Sequence, residues 1–355
     1  MVAVRDVSRR EVLALGGAAA VGYYSTRPSG GGGGSALPSF EGKSGARLES
    51  LRPVVGGSSV GIEPSDGIGT VAGGVRGPNG EEWVLTCRHV VDPEFPDSDR
   101  EDVLGEALYQ PRFEDSADPI GKVIDCGPSS GTDSTDWAVI ELADGIEWSA
   151  AILGAGQPAA PTKPTVGDRL VMTGLRTGLH GVEVTSVGVS ANWRGTLLYD
   201  LIEYRVDDES STDTAGNSGG WVGAFDDSGT FRPAGIHAFE SDGYRYAVPT
   251  SQCVEDPGAS VESGGSLPPA PDADSYLEGA LDTVGDSSLT AAVGNIGGAS
   301  VTDRSVRVLD EDGNEIDATE VSLDALEDQR LTLSAPSEGA AVLDTGDETD
   351  GQVQP

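Results

Sequence analysis

Ser218 lies in Thr214-Ala215-Gly216-Asn217-Ser218-Gly219-Gly220, a setting suited to a serine that acts as a nucleophile. A serine hydroxyl is nearly inert at neutral pH. An imidazole within hydrogen-bond reach must take its proton, and a carboxylate must fix that imidazole's tautomer and orientation. Both partners lie upstream: His89 in Thr86-Cys87-Arg88-His89-Val90-Val91, and Asp136 at the head of Asp136-Trp137-Ala138-Val139-Ile140-Glu141-Leu142. Gly216 lets the backbone turn so that its own N–H and that of Ser218 face a developing oxyanion, and one such donor is typically worth ~3–4 kcal/mol of barrier. Gly219 and Gly220 keep the approach to the hydroxyl clear. Each residue type alone is usually structural; three in order, each at the edge of a strand-like run, point to acyl transfer through a Ser/His/Asp triad.

The same five residues fit the G-x-S-x-G elbow of α/β-hydrolases, and chain order separates the readings. An elbow enzyme needs its acid and then its histidine after the serine, with a helix directly behind it. Here the one later histidine is His237, and Trp221-Val222-Gly223-Ala224-Phe225, a turn at Asp226 to Gly229, and Pro233 to Phe239 read as strands.

The order His, Asp, Ser is that of the chymotrypsin-like peptidases, and from about Leu51 to Cys253 the chain resembles that family throughout. Gly69 to Val75, the Pro78-Asn79-Gly80 turn and Trp83-Val84-Leu85-Thr86 form a hairpin that delivers a histidine onto a short loop. Val166 to Gly174, followed by Thr177-Gly178, Gly181 and Val182, looks like the start of the second barrel in the streptogrisin-like branch. Ile236 to Phe239, the Ser241-Asp242-Gly243 turn and Tyr246 to Pro249 resemble the strand pair that walls the S1 pocket, where a substrate binds as an added strand. The resemblance implies an all-β fold of two six-stranded antiparallel barrels, an endopeptidase acting on polypeptides, no cofactor, and an oxyanion hole from Gly216 and Ser218.

Asn217 replaces the aspartate that the digestive members pair with a freshly cut amino terminus. A neutral amide forms no such ion pair, so the sequence argues against activation by amino-terminal insertion. Glutamyl endopeptidases and the quality-control peptidases resemble the chain in having Gly-Asn-Ser-Gly, but the peptide-binding domain of the latter is not seen here. Ile236-His237-Ala238 resembles the element by which glutamyl endopeptidases place a histidine in S1, and Ser211, Thr212 and Thr214 offer hydroxyls nearby. Asp213 opposes an acidic P1 side chain if it points inward, and a strand histidine is commonly a packed residue; Thr212, Asp213 and His237 are the candidate S1 set. His180, between Leu179 and Gly181, reads as a loop residue.

Around this core, residues 1–24 resemble a twin-arginine export signal, with Arg9-Arg10 ahead of a weakly apolar run from Val12 to Tyr24. That run is too short for a confident membrane span. Residues 25–50, with Ser29 to Ser35 almost all glycine, read as a linker or pro-segment, and 51–256 as the peptidase. Residues 257–275 read as a second linker, and 276–355 as a small immunoglobulin-like β-sandwich with an acidic tail, built from strands near Ser288, Ser305, Glu320 and Arg330. The sandwich suits a substrate or cell-surface binder or a solubility appendage, and a catalytically silent surface adhesion protein is the competing functional class. Cys87, Cys126 and Cys253 fit no disulfide pattern and leave room for one bridge and one spare thiol, while three dispersed histidines give no zinc-site spacing.

The chain has 59 acidic and 22 basic side chains, three of them lysine (Lys43, Lys122, Lys163), for a net charge of −37. This sign disfavours nucleic acid and anionic membranes. It resembles the surfaces of halophilic archaeal proteins, because at molar salt the Debye length falls to about 3 Å and self-repulsion is screened. Regular hydrophobic runs argue against an acidic disordered chain, and Asp310 to Glu315 reads as a hairpin turn rather than a calcium loop. Activity and melting temperature are therefore expected to climb from low to molar salt in a salt-titrated thermal melt; a chain most stable without salt would refute the screening argument.

Overall fold

Short β-branched and aromatic runs separated by Gly, Asn, Asp and Pro turns favour strands over helices, and the chain folds accordingly. A computed structural model describes residues 45–48, 50–62, 68–111, 119–206, 215–241, 243–271, 274–284, 287–336, 339–347 and 349–353. The export-signal region and the Gly-rich run lie outside these residues, as do Ser211, Thr212, Asp213 and Thr214 of the S1 candidates.

The first half comprises β1 (Val54–Gly56), β2 (Ser59–Val60), β3 (Gly69–Thr70), β4 (Gly74–Arg76), β5 (Glu82–Thr86), the single helical turn α1 (Arg88–Val91), β6 (Ala107–Tyr109), β7 (Pro119–Cys126), β8 (Ala138–Leu142) and β9 (Trp148–Ile152). Strands β4, β5, β8, β7 and β6 pair in that order, all antiparallel. The sheet curls towards closure because Tyr109 of β6 bridges Gly61, directly after β2, and Ala72, past β3, donates to Leu85 O at 2.8 Å.

The second half is a closed antiparallel barrel in the order β10-β11-β12-β15-β14-β13, made by β10 (Arg169–Gly174), β11 (Gly178–Trp193), β12 (Thr196–Val206), β13 (Trp221–Phe225), β14 (Phe231–Ser241) and β15 (Tyr244–Pro249). Met172, Val182, Ile202, Tyr204 and Val222 fill one of its cores. Strand β16 (Ser260–Val261) then returns to add the sixth strand to the first sheet, beside β4. The architecture is two six-stranded antiparallel β units, the second a closed barrel, with an additional C-terminal β unit.

That unit has β17 (Leu277–Val284), β18 (Ser288–Asn295) and β21 (Asp328–Ser334) in one sheet. The facing sheet holds β19 (Val301–Leu309), β20 (Glu315–Leu323), β22 (Ala341–Asp344) and β23 (Thr349–Val353), with Leu281, Leu289 and Val293 meeting Val306, Val308 and Leu343 between the two. Strands β17 and β22 are absent from the sequence reading, having small or acidic residues where an alternating apolar pattern is sought. Asp310 to Asn314 forms the tight β19–β20 turn, with Gly313 at φ +80°.

Three sequence expectations meet a different local structure. His180 is not in a loop: it sits buried in β11 opposite Met172, because the turn is made by Leu175 to Thr177 and the flanking glycines belong to the strand. The Pro/Gly/Ser stretch after Pro257 contains β16, and Gly264 O accepts from Ala150 N–H. Cys87, Cys126 and Cys253 are all buried free thiols rather than a bridge and a spare. Among the described residues no helix is long and apolar enough to cross a membrane.

Candidate active site

Strand register brings the first two residues together. Thr86 of β5 pairs with Ala138 of β8, so His89, three residues beyond the one, and Asp136, two residues before the other, leave the sheet at the same end. The Asp136 carboxylate then holds the histidine at two points: Oδ2 lies 2.7 Å from His89 Nδ1, and Oδ1 accepts the His89 backbone N–H at 3.0 Å. Asp136 is fully buried whereas the His89 side chain is 16% exposed, so the carboxylate's field acts on the imidazole with little solvent screening while the ring's outer edge stays reachable.

The serine arrives from the second barrel. Gly219 N–H donates to His237 O and His237 N–H to Gly220 O, both at 2.8 Å, which sets the serine loop against β14. Thr70 N–H donates to Ser218 O at 2.8 Å, Thr70 Oγ1 to Gly216 O at 2.7 Å, and Cys87 Sγ to His237 O at 3.1 Å. These three bonds tie the serine loop and its neighbouring strand to the elements flanking His89. Gly216 has φ +100° and Gly219 +97°, left-handed values that glycine adopts without a Cβ penalty. The Ser218 hydroxyl donates to Ala238 O at 3.1 Å, and no hydrogen bond joins it to His89; such contacts tighten on substrate binding in many enzymes.

Asn217 is fully buried, and both ends of its amide are hydrogen-bonded. Its Oδ1 accepts the N–H groups of Arg176 (2.8 Å) and Thr177 (3.2 Å), and its Nδ2 donates to Thr177 Oγ1 at 3.0 Å. Two backbone amides thus occupy the oxygen that a carboxylate would offer to a new amino terminus.

His237 is buried under the serine loop, its Nδ1 2.5 Å from Tyr204 Oη. Burial pushes the Tyr204 hydroxyl far up, so tyrosine keeps its proton, with His237 Nδ1 and Met172 Sδ (3.7 Å) both within its reach. Burial, then the charge of Arg245, then that of His89 push the His237 pKa down to about 3, leaving a neutral ring.

Two features escape the sequence reading. Trp193, at the end of β11, lies over the His89 ring with centroids 4.9 Å apart and continues to Phe95 at 5.5 Å and Phe239 at 5.8 Å. Arg194, at φ +49°, places its guanidinium over Trp193 at 4.5 Å and donates to Pro93 O and Phe95 O, both at 3.4 Å, pinning the hairpin tip to the segment after α1. The sequence signal was only a Trp-Arg-Gly hairpin tip. The second feature is Cys87, whose Sγ, a His89 ring nitrogen and an Asp136 oxygen lie within 4.8 Å of one another despite lacking zinc-motif spacing. Burial, with the negative charge of Asp136 next, holds this thiol well above its usual pKa, so it serves as a protonated donor.

The chain is similar in structure to a glutamic acid specific serine protease with a histidine triad in substrate binding, at 19% identity over 59% of this chain and 100% of that one (TM-score 0.45). Similar too are a chymotrypsin of Cellulomonas bogoriensis (19%, 59% and 99%, TM-score 0.42) and protease A of Thermobifida fusca (12%, 59% and 99%, TM-score 0.45). No protein-family model matches the chain, and no curated protein matches it. Likenesses this shallow leave activity to be argued from the geometry alone.

The buried His237 makes a pH prediction. The unfolded chain takes up a proton as pH falls below the ordinary 6.5, whereas the folded ring refuses it until about 3. Its stabilising contribution is therefore complete above pH 6.5 and is lost as pH falls towards 3, with a slope of at most about 1.4 kcal/mol per pH unit. Denaturant unfolding between pH 7 and 4 is expected to show a steeper loss in wild type than in His237→Gln; equal slopes would contradict a neutral buried ring.

Proposed function

We propose that this chain is a serine endopeptidase. The reading rests on one observation above all, the two-point grip of the buried Asp136 carboxylate on His89. Ser218 turns from Ala238 O to His89 Nε2, loses its proton to that nitrogen as it attacks the scissile carbonyl, and forms a tetrahedral intermediate. Asp136 keeps the remaining ring proton on Nδ1 and stabilises the imidazolium. His89 then protonates the leaving amine, and water, deprotonated by the same nitrogen, hydrolyses the acyl-enzyme. Gly220 N–H fixes the Asn217 carbonyl at 2.9 Å, and in a trans peptide this turns Ser218 N–H to the opposite side, where with Gly216 N–H it serves the oxyanion.

A preference for glutamate at P1 follows from His237. In this reading Tyr204 donates to His237 Nδ1, and the neutral imidazole carries its proton on Nε2, from which it donates to a carboxylate without demanding a counter-charge. Trp193 and Phe239 offer an aromatic wall beside His89 for the residues preceding P1. Export by the Arg9-Arg10 signal and service in strong brine complete the proposal, supported by the amino-terminal pattern and the charge of −37.

A fluorophosphonate probe in strong brine is expected to label wild type and not Ser218→Ala; an unlabelled wild type that binds peptides without cleaving them would favour the silent adhesion reading. Peptides differing only at P1 are expected to be cleaved faster after Glu than after Phe, and equal rates would remove the assigned role of His237 while leaving the triad untouched.

A further inference from the structure

The first described turn and the first strand of the C-terminal unit meet in a fully buried ion pair that the peptidase chemistry does not require. Arg47 lies in a short 3-10 turn, Gly45–Leu48, and Glu278 is the second residue of β17; both side chains have no exposed surface. The Arg47 guanidinium donates to Gly57 O (3.0 Å), Leu153 O (2.9 Å) and both carboxylate oxygens of Glu278, one from Nε at 3.3 Å and the other from Nη2. Leu51, Val55 and Leu153 close over the area with Ile296 and Leu326 of the C-terminal unit, so the sandwich shares a core with the barrels at this point.

What gives the pair its interest is where the carboxylate ends. Its two oxygens fit into space left by Gly154 and Gly178, and a methyl group on either glycine would overlap Glu278. Gly178 closes the β10–β11 turn, whose Arg176 and Thr177 amides and Thr177 hydroxyl hold Asn217. The same turn donates Leu175 N–H to Thr70 Oγ1 at 3.0 Å, and that hydroxyl holds Gly216 O. One contact therefore leads from Glu278 to the turn, and from the turn two hydrogen-bond routes run to the residues flanking Ser218.

We propose that Arg47 and Glu278 are positioning residues for the oxyanion loop: a clamp made from a turn ahead of the barrels and the first strand of the C-terminal unit orders the 174–178 turn, which in turn sets Gly216, Asn217 and Ser218. This rests on the endopeptidase reading and assigns the ordering that an inserted amino terminus gives the digestive enzymes to an internal guanidinium and a carboxylate from the added sandwich. The clamp is complete without a free amino terminus near Ser218, and it makes the C-terminal unit part of the catalytic apparatus rather than a tethered appendage.

The test separates positioning from simple stability. Glu278→Gln leaves Arg47 buried without its counter-charge, whereas Arg47→Met/Glu278→Gln removes both charges and relieves that penalty. In full-length protein, with kcat expressed per fluorophosphonate-titrated serine, both variants are expected to lose kcat about tenfold or more, below the 10²–10³-fold of deleting an oxyanion donor outright. KM should stay within about twofold of wild type, and the double variant should recover its thermal midpoint but not its kcat. Recovery of kcat together with the midpoint, or a wild-type kcat in Glu278→Gln, overturns the clamp. Failure of both variants to fold does so too, by making the pair a folding requirement only. A wild type that neither labels nor cleaves defeats the endopeptidase reading instead, so the two failures are distinguishable.

Discussion

The structure depends on a carboxylate that never meets solvent. Asp136 is buried where its charge would be costly unless met by donors, and it is met twice by one residue, through the ring and the backbone of His89. This bidentate arrangement couples the helical turn α1 to the β8 edge. Fixing the backbone N–H fixes where the side chain begins, and fixing Nδ1 fixes where the ring's other nitrogen points. The histidine thus has little freedom left to lose when it takes up a proton, which is the condition for a preorganised base.

The second constraint is that the serine loop belongs to a different barrel from His89. Two sheets that merely touch would leave the Ser218 oxygen free to drift, and the bonds that stitch them are short and buried: Thr70 to Ser218 and Gly216, and Cys87 to His237. Thr70 and Cys87 therefore carry more of the geometry than their residue types announce. Trp193 adds a third link, crossing from the second barrel to lie on the imidazole itself.

Much of this was legible in the sequence for physical reasons. The β4–β5 hairpin was readable because Pro78-Asn79-Gly80 dictates a turn and Gly80 takes φ +91°, and β13 to β15 because apolar alternation and turn residues agree there. Chain order gave the relation among His89, Asp136 and Ser218, since few folds bring three such residues together in that sequence. What was illegible depends on long-range partners. Nothing local in Gly45-Ala46-Arg47-Leu48 distinguishes a buried clamp from a linker, and nothing in Ser260-Val261 marks a strand until β4 is beside it. His180 was misread because glycines in a strand look like turn residues when the pairing strand is unknown.

The charge imbalance gives the interior a consistent logic. With 59 carboxylates, burying one is tolerable only beside a dedicated donor, and all but three of the 22 basic residues are arginine, whose planar fork satisfies several acceptors at once. Arg88 shows the use: fully buried next to His89, it donates to Asp92 Oδ2 at 3.0 Å, Gly127 O at 2.7 Å and Ser98 O at 3.0 Å, so the loop after α1 is built around a guanidinium. Arg47 does the same for Gly57, Leu153 and Glu278, and Arg330 pairs with the buried Asp282. A lysine in place of Arg47 or Arg88 would supply one compact charge and leave carbonyls unmet. An excess of surface carboxylate and an interior organised by arginine are then two results of one constraint: where acid is abundant, each scarce cation does most when it is buried and multiply bonded.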